Sequence, residues 1–259
     1  MNSTTYSDKM ASVTQRISKI SQPRGGYLNP KQFSITEKND KLEIGEENIH
    51  TSIVGIAVDY LTRFNNGTSG EKAFEISLLG AGLIDHYSTA EKLIKNVKGL
   101  DDDSIISACK LSGFDVCYRA GSTGYKPVEE INPDKNTIEN IRIMVNRSLT
   151  FIKEYGPIIE DGFTFPGGYT NTVNAGDGDF LTSDTLWDFK VLKKDPTNKH
   201  TLQLLMYYIM GMHSVNRNFE NILYLGIFNP RLNKVYRCEI EKIDKSIISQ
   251  IEKEVICYD

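Results

Sequence analysis

The run Gly176-Asp177-Gly178-Asp179-Phe180-Leu181, the polar stretch Thr182-Ser183-Asp184-Thr185 and then Trp187-Asp188-Phe189-Lys190-Val191 gather carboxylates and an ammonium within a few residues. Strand-like runs on either side of the polar stretch predict a β-hairpin, and alternation along a strand puts Asp188 and Lys190 on one face. Asp179 comes up beside them as a cross-strand neighbour. Asp177 competes with it, because two residues on one strand face cannot be told apart by spacing. Gln203 and Tyr207 follow, four residues apart and therefore on one face of an expected helix. Charge collected on an apolar hairpin is costly unless balanced, so this cluster needs a compensating metal or partner.

The flanking elements have to hold these residues in place. The polar segment 1–30, with its Gln22-Pro23-Arg24-Gly25-Gly26 breaker, is expected to be a flexible arm. Ile49, Ile53, Ile56, Ala57, Tyr60, Leu61 and Phe64 recur at helical spacing and end at Asn65-Asn66-Gly67. Residues 70–98 read as one or two helices broken near His86. Asp101-Asp102-Asp103 starts a short helix that ends before Gly113. A loop over 118–133 and a long helix from Ile138 to Ile152, closed by Gly156-Pro157, come next. Strands begin only after it: Ile158-Ile159 with 162–165, the hairpin, and Ile222 to Phe228 paired with Val235 to Ile240. A helix from His200 to Val215 and a terminal helix from Lys245 to Val255 complete the set.

Composition is that of an ordinary folded chain. The length of 259 residues allows one large domain or two small ones, and the expectation is a single domain over 31–259 with a helical insertion at about 68–155. A net charge of −4 excludes a broadly basic coat for nucleic acid, though not a local basic patch. Cys109, Cys117, Cys238 and Cys257 show no zinc-type spacing and read as free thiols. No apolar run approaches the ~20 residues of a membrane span, and a cytoplasmic location is expected. His50, His86, His200 and His213 lack paired metal spacing; His200 stands out because it follows Lys199 at the start of the site helix.

An Asp-x-Lys triplet by itself carries little weight in a chain with 25% charged residues. Its company gives it meaning. Gly176-Asp177-Gly178-Asp179, then Asp188-Phe189-Lys190, then Gln203-Leu204-Leu205-Met206-Tyr207, in the order strand, strand, helix, resembles the PD-(D/E)XK nuclease superfamily. Within it, the closest branch is the RecB-type exonucleases, whose pattern runs Gly-x-x-Asp, (D/E)-x-K, Gln-x-x-x-Tyr. The resemblance covers about residues 157–228 and the helix around Gly55. It implies an α/β, restriction-endonuclease-like core: a central mixed sheet of about four to five strands flanked by helices, with the helical insertion between the first core helix and the first core strand.

It also implies a function, the metal-dependent hydrolysis of DNA phosphodiesters. Asp179 and Asp188 become ligands of Mg2+ or Mn2+, the Phe189 carbonyl a third, and Lys190 orients the attacking water or steadies charge on the phosphorane. Gly-x-x-Asp favours Asp179 over Asp177. Gln203 and Tyr207 face the metal site and the DNA backbone. The branch carries Gly-x-x-x-His on its first helix; here Gly55 is followed by Asp59, an alternative ligand that could instead pair with Arg63. Glu160 is a weaker candidate. Lys193, Lys194 and Lys199 form a basic excess suited to phosphates. Enzymes of this fold serve DNA repair, restriction or phage defence, often within larger complexes. The competing readings are a non-catalytic nucleic-acid-binding or interaction protein that keeps the fold, and an RNA-directed nuclease.

Overall fold

A computed structural model describes residues 11–38 and 45–258. In chain order the elements are β1 (Ala11–Ser12), α1 (Val13–Lys19), β2 (Ser34–Glu37), α2 (Thr51–Asn65), α3 (Gly70–Ala73), α4 (Glu75–Gly82), α5 (Tyr87–Asn96), α6 (Asp102–Ser112), α7 (Asp115–Ala120) and α8 (Lys135–Tyr155). Then follow β3 (Glu160–Phe163), β4 (Val173–Ala175), β5 (Gly178–Leu181), β6 (Thr185–Phe189), α9 (Asn198–His213), β7 (Tyr224–Asn229), β8 (Lys234–Glu239) and α10 (Lys245–Gln250). A wider π turn, Ile251–Ile256, extends α10. The chain divides into two compact units, one built on the sheet (up to Lys38, then Tyr155–Asn229 and from Lys234) and one helical (up to Glu154, with Pro230–Asn233).

The sheet unit is α/β. Six strands lie in the order β2-β8-β7-β6-β5-β3, with β6 and β7 parallel and every other neighbour antiparallel. The sheet thus has six strands where four to five are expected. β6 is central, which explains why Thr185, Leu186, Trp187 and Asp188 are all buried rather than alternating in and out. Leu181, Leu186, Leu225 and Ile227 turn one face of the sheet into the main core. There they meet Leu202, Leu205, Met206 and Ile209 of α9, Val13 and Ile17 of α1, and Ile251 and Val255 of the terminal turn. Each such side chain contributes about 1.5–3 kcal/mol by leaving water.

The opposite face carries Phe180 and Trp187, whose rings stack 6.4 Å apart. Trp187 lies over Gly226 of β7, where a Cβ would stand 2.3 Å from the indole. Gly226→Ala is therefore expected to cost about 1–3 kcal/mol through overpacking, measured as a lower urea midpoint with an unchanged slope.

The first 30 residues differ from expectation. Their described part, from Ala11 on, is packed instead of forming an arm: Val13, Ile17 and Leu28 are buried. Ser12 and Gln15 cap α1 reciprocally, and Arg16 Nε donates to the Val255 carbonyl at 2.8 Å. Residues 1–10 fall outside the described set. β2, an edge strand exposed at all four residues, shows no alternation from which it could be anticipated.

The helical unit starts well before residue 68 and takes in α2. It also claims the turn between β7 and β8: Arg147 donates to the carbonyls of Pro230 and Arg231, each at 3.0 Å, and Arg231 pairs with the buried Glu47 at 2.6 Å. Asp115 forms its buried polar centre. The hydroxyls of Tyr60 and Ser77 both donate to its carboxylate at 2.6 Å. Residues 70–98 form three helices, with breaks at Phe74 and at Asp85, which has positive φ. The loop expected at 118–133 begins only after α7.

Candidate functional site

β5 and β6 pair with Phe180 opposite Trp187 and Leu181 opposite Leu186. Continuing that register by one residue sets Asp179 across from Asp188. Asp179 has the parity of Leu181, and Asp188 and Lys190 that of Leu186, so all three side chains belong to the face that α9 covers. The backbone past β6 stays in the ladder, since Lys190 N donates to the Phe228 carbonyl at 3.0 Å. Lys190 is thereby fixed next to its acidic partners.

Asp188 is 2% exposed. Its Oδ1 accepts from Lys190 Nζ at 2.8 Å, while its Oδ2 is buried and has no hydrogen-bond partner among the described residues. Asp179 Oδ2 accepts from Phe189 N at 2.6 Å. Burial by itself would lower the pKa of the Lys190 ammonium, yet Asp188 and then Asp179 raise it above the ordinary lysine range. With both carboxylates facing it, Lys190 is held as a cation that can donate hydrogen bonds and neutralise charge.

α9 completes the arrangement. Gln203 Nε2 donates to the Tyr207 hydroxyl at 2.9 Å, one helical turn along. The Tyr207 ring stacks on Phe165 at 5.2 Å. Burial raises the Tyr207 pKa, against the lowering effect of Lys190, so the phenol stays protonated. Tyr169, which the sequence did not single out, holds the approach to β5: its hydroxyl accepts from Phe165 N and donates to the Gly176 carbonyl, each at 3.1 Å. Gly176 is a tight fit, because a Cβ there would stand 3.2 Å from Tyr207.

The remaining candidates are placed differently. Asp177 precedes β5 and is exposed, whereas Asp179 lies within the strand and bonds to β6. Glu160 is held elsewhere: its Oε2 accepts from the side-chain amides of Asn216, at 2.7 Å, and Asn218, at 3.0 Å, so the carboxylate staples β3 to the segment after α9. Asp59 sits on α2 of the helical unit, where Arg63 Nε donates to its Oδ1 at 2.9 Å, the i,i+4 ion pair that competes with a metal role. Lys193, Lys194 and Lys199 are exposed.

Among the described residues no three His, Cys, Asp or Glu side chains converge as a ready metal cage. Asp179 and Asp188 supply two carboxylates, the number that Mg2+ commonly takes from a protein while keeping its waters. The orphaned Oδ2 of Asp188 is a hard oxygen donor lacking a counterpart, and a hard divalent cation fits it. Comparison of the chain with protein-family models, curated proteins and solved structures finds no match. The fold and site therefore define the class by themselves: an α/β protein with a mixed six-stranded sheet bearing two carboxylates and a lysine under a Gln/Tyr helix. No described helix is long and apolar enough to cross a membrane.

Proposed function

We propose that the sheet unit is a metal-dependent nuclease that hydrolyses phosphodiester bonds of DNA. The observation that carries this reading is the buried Asp188, whose Oδ1 holds Lys190 while Oδ2 has no partner among the described residues. A carboxylate at 2% exposure with a purely structural role is expected to satisfy both oxygens, because an unmet buried acceptor costs about 1–3 kcal/mol. The succession β5, β6, α9 gives the strand, strand, helix order of the motifs on which the resemblance to PD-(D/E)XK nucleases rests; within the same sheet β3 precedes it and β7, parallel to β6, follows.

Asp179 and Asp188 would hold Mg2+ or Mn2+, with the Phe189 carbonyl as a third oxygen. The bound cation supplies Lewis-acid neutralisation of the phosphate and a more acidic water. Lys190, held cationic by both carboxylates, donates either to the attacking water or to the non-bridging phosphate oxygens as negative charge builds there. Gln203 and Tyr207 line the helix side of the site. Their mutual bond presents the phenol O–H as a neutral donor. The substrate set is drawn from the sheet unit alone.

The test is incubation of the purified chain with linear DNA, circular DNA and RNA, each with Mg2+, Mn2+ or EDTA. Cleavage of DNA that depends on the metal is the expected result. Cleavage of RNA alone would replace the substrate, and binding without turnover under every metal would favour an interaction protein.

The metal also predicts a stability effect. A ligand present at 100 times its Kd and bound only by the folded chain adds about 2.7 kcal/mol. Millimolar Mn2+ should therefore raise the melting temperature of the wild-type chain and leave Asp188→Ala unmoved, as read by calorimetry.

A further inference from the structure

His200 lies three residues before Gln203 and seven before Tyr207, so the three recur along one face of α9. The ring is half-buried and stands in the combined field of the site. Burial first, then the Lys190 ammonium, hold its pKa below the ordinary histidine range, with Asp188 opposing them. Near neutral pH the ring is uncharged.

Its two nitrogens have different jobs. Nδ1 accepts a hydrogen bond from the backbone N–H of Thr197 at 3.0 Å, closing the first turn of α9 as the N3 side chain of a capping box. A nitrogen that accepts from an N–H carries no proton of its own, so the proton of the neutral ring is on Nε2. Nε2 is then a donor and has no lone pair for a metal. A neutral donor on the face of α9 that carries Gln203 and Tyr207, within the field of Lys190 and Asp188, suits an anionic ligand that brings its own acceptor oxygens.

Building on the nuclease reading, we infer that His200 is a phosphate-binding residue of this site, with Nε2–H donating to a non-bridging oxygen of the substrate phosphodiester. It complements Lys190, which brings charge: His200 brings a directed donor whose angle is set by the cap. The ligand class is a nucleotide phosphate, and the residue contacts substrate without touching the metal.

The variant that separates this role from helix capping is His200→Asn. The Asn Oδ1 stands where Nδ1 stood, so it keeps the bond to Thr197 N, but the shorter amide cannot reach on as Nε2 does. The expected result is an unchanged melting temperature, a KM for DNA raised about 10-fold or more, as for loss of a hydrogen bond to a charged group, and a smaller change in kcat. A second readout does not depend on turnover. Ring-nitrogen NMR of the wild-type chain, titrated with deoxythymidine 5′-monophosphate in Mg2+, should move the His200 Nε2 resonance while Nδ1 keeps its acceptor shift.

Unmoved ring resonances together with an unaltered KM in His200→Asn would overturn the inference, even if Asp188→Asn abolishes cleavage and the nuclease reading stands. Conversely, a ring that responds to the nucleotide in a chain that cleaves no DNA would support the phosphate role and sink the nuclease reading.

Discussion

Asp188→Asn is expected to lower metal-dependent DNA cleavage at least ~100-fold, about 2.7 kcal/mol of barrier, while the chain stays folded. The substitution keeps shape and volume in the centre of the sheet, where Asp188 is 2% exposed. It removes the charge that Oδ2 offers a cation and the partner that helps keep Lys190 in place. Lys190 retains Asp179 nearby and is 23% exposed, so the isolated ammonium is not stranded in a dry core and the fold tolerates the change. Lys190→Met tests the other half of the pair. It leaves two facing carboxylates with no cation between them, and so predicts loss of cleavage accompanied by a greater dependence of folding on added Mg2+ or Mn2+. If both variants cleave as the wild type does, the catalysis belongs to another site.

Asp115→Ala is expected to be the most damaging single change to stability, at about 3 kcal/mol or more. It would leave the Tyr60 and Ser77 hydroxyls buried without the acceptor each now reaches at 2.6 Å, at about 1–3 kcal/mol apiece. The urea midpoint measures it. Asp115→Asn is milder, because the amide oxygen still accepts and the hydroxyls can turn to accept from its NH2.

The pair of variants also isolates a pH effect. Burial raises the Asp115 pKa above 3.8, the donations from Ser77 and Tyr60 and the Arg119 guanidinium, 3.6 Å from Oδ2, only partly offsetting it. The folded chain therefore keeps a proton that the unfolded chain has released. The contribution of this carboxyl to stability is greatest at low pH and declines as pH rises from about 3.8 through the raised folded-state value. Asp115→Asn should flatten that part of the stability profile, and a profile identical to the wild type would show that folding leaves the carboxyl's pKa unchanged.

Local pattern made much of the sheet unit legible. The hairpin around Thr182–Thr185, the helix at Gln203 and the paired strands β7 and β8 each carry their own turn residues and apolar period, and they stand where spacing puts them. The N-terminal segment was misread because its breaker, Gln22 to Gly26, resembles a tail in composition. What anchors that segment is distant: Arg16 bonds to Val255, and the Leu28 carbonyl accepts from Thr201. No local rule contains such partners.

The site divides along the same line. Spacing along a strand gathers Asp188 and Lys190, but choosing Asp179 over Asp177 needs the ladder, which begins at Gly178. The staple of Glu160 to Asn216 and Asn218 spans more than fifty residues and left no trace in sequence. The Asp59–Arg63 pair, by contrast, was readable from its i,i+4 spacing. His200 was marked only by its neighbour Lys199; its tautomer depends on the backbone of Thr197, which only the folded cap discloses.

In the proposed site Asp179 and Asp188 hold a divalent cation, and Lys190 and its surroundings form a phosphodiester-cleaving centre with it. Calorimetric titration of Mn2+ into the wild-type chain and into Asp188→Asn, with DNA cleavage followed on the same samples, tests it most directly. The expected result is a binding site in the wild type that Asp188→Asn lacks, with cleavage lost in step. A wild-type chain that binds no Mn2+ and cleaves nothing, or an Asp188→Asn chain that binds and cleaves like the wild type, would contradict it.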